Sequence, residues 1–157
     1  MKKVIAVNTR ILVSDKLEGI GNFTAEILKR IVKWNPDYKF HFIFNYPTNE
    51  DFIFGDNVVT HTIQPPAKHP ILVKIWYDLS LKRILKKINP DIFISPDAIT
   101  SLTTDIKMLT VIHDIGFVHR PNDLPSSWSK FYNKYSKQFA EKSNRLATVS
   151  EYSKKDI

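Results

Sequence analysis

Two adjacent groups able to handle protons or sugar hydroxyls, His113 and Asp114, follow directly on the run Leu109-Thr110-Val111-Ile112. That run is too short for a helix and rich in β-branched side chains, so it predicts a strand, Leu109 to His113, buried on both faces of a parallel sheet. His113 and Asp114 then fall at its carboxyl edge, where open α/β sheets bind ligands. A neutral imidazole donates one hydrogen bond and accepts another, which suits it to orienting hydroxyls; the same pair also serves simply to fix a loop.

A second position with chemical potential is Glu18-Gly19-Ile20-Gly21-Asn22-Phe23-Thr24. Gly19 and Gly21 are expected where a loop enters a helix, which lets the backbone approach a ligand and aims free N–H groups at an anion such as phosphate. Ordinary turn chemistry explains the two glycines as well. They are no dinucleotide fingerprint: its third glycine would fall at Thr24, and the pair lies about a dozen residues past the strand. Ser150 is a third position, able to donate to a ligand or to cap a following helix. His41, His61, His69 and His119 match no metal spacing and have no carboxylate cluster beside them, so no metal site is expected.

The elements that must position these residues alternate. Short apolar runs predict strands at Lys3–Val7, Tyr38–Phe44, Val58–Thr62, Ile92–Ile94, Leu109–His113 and Arg145–Val149. Asn8 to Gly19 reads as a polar loop. Phe23, Ile27, Leu28, Ile31 and Trp34 recur at helical spacing, predicting a helix from about Asn22 to Trp34, stopped by Asn35-Pro36. A second helix is expected over Ile71–Ile88, with Leu72, Ile75, Trp76, Leu79, Ile84, Leu85 and Ile88 as its apolar set. A third carries Trp128, Phe131, Tyr132, Tyr135 and Phe139 and ends near Asn144. The aromatic faces Phe23/Trp34 and Trp128/Phe131/Tyr135 read as core because they follow helical period. Strands alternating with such helices make an α/β, Rossmann-like parallel sheet covered on both faces.

At 157 residues and 43% hydrophobic content, one soluble globular domain is expected over residues 1–157. The absence of cysteine excludes disulfides and thiol catalysis. The apolar Val4–Val7 after Met1-Lys2-Lys3 is far shorter than a signal-peptide core or a membrane span, so a cytoplasmic protein is expected. A net charge of +7 calls for an anionic partner. The basic residues are dispersed, which argues against nucleic acid, with local density at Lys82, Arg83, Lys86 and Lys87. Those four form either a solvated helix face or a contact with an anionic membrane.

Three signatures, Glu18 to Thr24, Val111-Ile112-His113-Asp114 and Thr148-Val149-Ser150-Glu151-Tyr152-Ser153, together with the order of elements, resemble the amino-terminal domain of a retaining GT-B glycosyltransferase of the "group 1" family. The resemblance covers nearly the whole chain. It implies the amino-terminal, acceptor-side half of a GT-B architecture, with a carboxyl-terminal nucleotide-sugar domain absent from this chain. It further implies transfer of a sugar, with retention, from a nucleotide-sugar donor to a glycan or lipid-linked acceptor, without a cofactor. His113 would contact the reacting sugar or the acceptor. Gly19, Ile20, Gly21 and Asn22 would line the interdomain cleft, Asp114 would hold the imidazole tautomer or bind an acceptor hydroxyl, and Ser150 would face the cleft. Many relatives carry a basic residue where Asn22 stands. The fragment alone would be inactive, and peripheral contact with the cytoplasmic face of a membrane would suit a lipid-linked acceptor. The alternative is a noncatalytic α/β module that binds a glycan or an anion.

Overall fold

The computed structural model describes residues 2–14 and 17–157; Met1, Asp15 and Lys16, which the sequence assigns to the amino terminus and the first loop, lie outside the described residues. The expected alternation is present. Strands β1 (Val4–Asn8), β2 (Lys39–Phe44), β3 (Val58–Thr62), β4 (Ile92–Ser95), β5 (Met108–Val111) and β6 (Arg145–Ala147) form one sheet, every pair parallel, in the order β3-β2-β1-β4-β5-β6. The chain winds outward from β1 to β3, then returns past β1 to continue in the other direction. Between β1 and β4 the winding reverses, the switch point beside which such sheets bind ligands.

Helix α1 (Gly19–Trp34) covers one face. Its Leu28 and Val32 pack with Val7, Phe40, Phe42 and Phe44. On the opposite face α2 (Pro70–Ile75), a π-helical segment (Trp76–Leu81), α3 (Lys82–Ile88) and the later α5 (Ser126–Lys142) bury Val73, Trp76, Tyr77, Leu81, Leu85, Phe131 and Phe139 against Ala6, Ile43 and Phe93. Alternate residues of β1 and β2 therefore serve opposite cores, as the period-two pleat requires. Two short helices, α4 (Gly116–His119) and α6 (Glu151–Asp156), and two 3-10 turns, Glu50–Phe52 and Pro121–Asp123, complete the described elements. The β4–β5 crossover, residues 96–107, contains no helix. It is held by Asp78, whose carboxylate accepts from the Leu102 N–H at 2.9 Å and whose carbonyl accepts from the Thr103 hydroxyl at 2.8 Å.

Three expectations shift. Helix α1 starts at Gly19, not near Asn22, so Gly19 to Asn22 form its first turn. Its buried stripe is Gly21, Thr24, Leu28 and Val32, which leaves Trp34 off the stripe and 71% exposed rather than in the core. Along residues 70–88 the π segment adds a residue to the turn and offsets the period, so the buried set becomes Val73, Trp76, Tyr77, Leu81 and Leu85, while Ile75 and Leu79 face outward.

Candidate functional site

His113 stands two residues beyond the end of β5, half-buried. Its Nε2 lies 2.8 Å from the Pro96 carbonyl oxygen. A carbonyl only accepts, so Nε2 carries the hydrogen and Nδ1 is the nitrogen left for a ligand. The Phe23 ring meets the imidazole edge-on, centroids 4.9 Å apart at 87°. This α1 residue, expected in the core, is only half-buried and walls the histidine instead.

Asp114 does not hold that tautomer. Its Oδ1 accepts from the Gly116 N–H at 2.8 Å, closing a local turn into α4, and the carboxylate is otherwise exposed. His113 and Asp114 line one cavity of about 330 Å³ together with Ile20, Asp97, Ala98 and Tyr132. The structure therefore brings Ile20, His113 and Asp114 together. Gly19, Gly21 and Asn22 are not part of that lining. At Gly19, among the described residues, no atom lies within 4 Å of where a Cβ would stand. At Gly21 a Cβ would meet Leu17 Cδ2 at 3.0 Å and the Ile11 carbonyl at 3.4 Å, so this glycine permits close packing of the preceding loop. The Asn22 amide donates to the Leu17 carbonyl at 3.2 Å. Among the described residues no side chain caps the amino end of α1 and no acidic residue stands in its first turn, so the positive end of the helix dipole is uncompensated there.

Ser150 accepts from the Ser153 N–H at 3.0 Å and caps α6. It lines a separate cavity with Leu146, Thr148 and Lys154, away from the cavity of His113.

Beneath His113 lies a buried polar cluster that sequence reasoning missed. Asn8 at the end of β1, Ser95 at the end of β4, Asp97 just beyond it and Tyr77 on the π segment converge, joined by Arg10. Arg10 Nε lies 2.7 Å from Asp97 Oδ2; the Tyr77 hydroxyl lies 2.9 and 3.1 Å from the two Asp97 oxygens; Asn8 Nδ2 donates to Asp97 Oδ1 at 2.9 Å. Burial works against the Arg10 charge, but Asp97 and then Tyr77 outweigh it, so the guanidinium is held above its ordinary range. Burial, reinforced by Asp97, pushes the Tyr77 hydroxyl well up, and does the same more mildly to Tyr132. All three stay protonated at neutral pH, and Arg10 neutralises the Asp97 carboxylate. Breaking such a buried pair from one side costs about 3–5 kcal/mol. The chain then turns at Ala98, whose φ of 63° lies in the left-handed region that a residue with a Cβ rarely adopts. Backbone strain of this kind gathers at functional sites, where surrounding bonds overdetermine it.

Among the described residues no group of three His, Cys, Asp or Glu side chains is placed to hold a metal ion, and no helix is long and apolar enough to cross a membrane.

The fold is an α/β domain of the Rossmann-like class, a six-stranded all-parallel sheet with helices on both faces. Residues 17–157 match the model of Glycosyltransferase Family 4, and the chain belongs to that family. It is a glycosyltransferase-type domain. No curated protein sequence matches it.

Proposed function

We propose that this domain is the acceptor side of a retaining, GT-B, nucleotide-sugar-dependent glycosyltransferase, completed by a second domain that holds the donor nucleotide. The observation that carries the reading is the cavity beyond the ends of β4 and β5, where His113 keeps Nδ1 available while Pro96 fixes Nε2. In this reading the acceptor hydroxyl attacks the anomeric carbon as the bond from that carbon to the diphosphate oxygen breaks, and the hydroxyl proton passes to the leaving phosphate. His113 orients a sugar hydroxyl. Ile20 and Tyr132 supply apolar surface against which a pyranose ring packs. In this reading the positive amino end of α1, which brings Ile20 to the cavity, stabilises the developing negative charge of the diphosphate. Asp114, exposed apart from its own turn, is free to accept from an acceptor hydroxyl.

The test is transfer of radiolabelled sugar from a panel of nucleotide sugars into a membrane and glycan extract. The longest expressed form of the protein is expected to turn over, and His113→Ala to lower that turnover about a hundredfold or more. Purified 1–157 should give none, because one open face neither encloses the donor nor excludes water. Undiminished transfer by the His113→Ala variant would overturn the assigned role, and transfer by 1–157 abolished by the same substitution would overturn the two-domain reading.

A second reading concerns location. Ile71, Ile75 and Leu79 are exposed along residues 70–88, and Lys82, Arg83, Lys86 and Lys87 are exposed just beyond them. An apolar ridge beside clustered basic residues suits peripheral contact with an anionic membrane at the cytoplasmic face, where a lipid-linked acceptor would lie.

A further inference from the structure

We infer that Asp97 is a positioning residue for His113: Arg10, Asn8 and Tyr77 clamp its carboxylate, and the turn so fixed presents the Pro96 carbonyl that orients the imidazole. The inference rests on the proposed role of His113 in the cleft, but its physical content is a hydrogen bond that is measured without any sugar.

Asp97 is 6% exposed, and an ionised carboxylate at that depth needs compensation. Ser95 contributes little, since its single hydroxyl hydrogen goes to the Ile99 carbonyl 2.5 Å away. Three donors remain. Arg10 Nε approaches one carboxylate oxygen, Asn8 Nδ2 approaches the other, and the Tyr77 hydroxyl lies between them. These donors come from the β1 end of the sheet and from the π segment packed on one face of it, so the sheet and one flanking layer grip the same side chain. The residue before Asp97 is Pro96, whose oxygen receives His113 Nε2. The residue after it is Ala98, strained at φ 63° and tied by its N–H to the Val111 carbonyl at 3.0 Å. Three consecutive residues therefore connect the buried clamp, the end of β5 and the histidine.

A loop needing only to be anchored gains nothing from a buried ion pair, because well-packed apolar side chains do this at no cost in desolvation. What the clamp provides is a fixed direction for one carbonyl. Phe23 closes the other side of the ring, so a slackened Pro96 carbonyl would leave His113 with packing but no defined hydrogen-bond orientation.

The experiment is an NMR measurement of the His113 Nε2–H in the isotopically labelled chain, without ligand. In the wild-type chain a protonated Nε2 with slow solvent exchange is expected. Tyr77→Phe keeps the ring packing but removes one donor from the clamp, and Asp97→Asn removes its charge. Each should speed exchange of the ring N–H at least tenfold. Phe52→Leu, in the core on the opposite face of the sheet, controls for loss of stability and should leave that exchange at the wild-type rate. Wild-type exchange in Tyr77→Phe, or an equal acceleration in Phe52→Leu, would overturn the positioning role, even if Asp97→Asn fails to fold. Because the readout is a ring proton, its failure leaves sugar transfer by the cleft standing, and a failure of transfer leaves the ring-proton result standing.

Discussion

At the scale of single residues, His41 and His61 form an isolated pair on β2 and β3, Nδ1 to Nε2 at 2.7 Å with nearly parallel rings. A contact that short requires one ring to donate to the other. Burial, then His61 and Lys39, lowers His41 to about 4; burial, then Lys87 and Lys39, lowers His61. Both folded values lie below the ordinary value of about 6.5, so the unfolded chain takes up protons more readily. The stability these residues contribute is complete above the unfolded value and is lost as pH falls from about 6.5 toward 4. Melting temperature should therefore decline across that window, and His41→Gln should flatten part of the decline; identical slopes in the two proteins would contradict the assignment. Residue by residue, the sequence exposed some of the candidate site's lining and hid the rest. His113, Asp114 and Ile20 were legible because they belong to short local signatures. Asn8, Arg10, Tyr77 and Asp97 were not, since their meeting joins the end of β1, the π segment and the turn after β4 across a separation of up to 89 positions.

At the scale of elements, the stretch from Pro70 to Ile88 has the most consequence. Its π segment widens the helix so that neighbouring Tyr77 and Asp78 are both buried, one in the Asp97 clamp and the other fastening the 96–107 crossover. Periodicity at 3.6 residues located the helix but assigned Ile75 and Leu79 to the core, whereas they are 37% and 51% exposed; a residue added to one turn leaves no mark in composition. Their exposure beside Lys82, Arg83, Lys86 and Lys87 leads to a prediction about membranes. Vesicles rich in phosphatidylserine should sediment the wild-type protein at low salt, with about 1 kcal/mol contributed per basic residue near the surface. The fourfold alanine variant at those positions should remain in the supernatant. Equal binding by both would leave residues 70–88 as a solvated face. The strands, by contrast, were legible almost to their ends: β1, β2, β4 and β5 are buried along most of their length and so nearly continuous in apolar residues, whereas the exposed β6 was legible from its place in the alternation.

At the scale of the molecule, the order β3-β2-β1-β4-β5-β6 determines where a ligand can sit. Asn8 ends β1, Ser95 ends β4, and His113 follows β5, so the polar residues of three adjacent strands converge at one rim while the two hydrophobic cores lie beneath. The sheet order itself was not legible: alternation of elements implies a parallel sheet but does not say on which side of β1 the fourth strand will lie. The central claim is that this rim is a saccharide site with His113 as its contact. Its most direct test is chemical-shift mapping of the labelled chain titrated with a panel of mono- and disaccharides at millimolar concentration. Perturbations should be confined to Ile20, Asp97, Ala98, His113, Asp114 and Tyr132 and be absent in the His113→Ala protein. Perturbations centred on Leu146 to Lys154 or on Arg83 and Lys87, or none with any sugar of the panel, would contradict it.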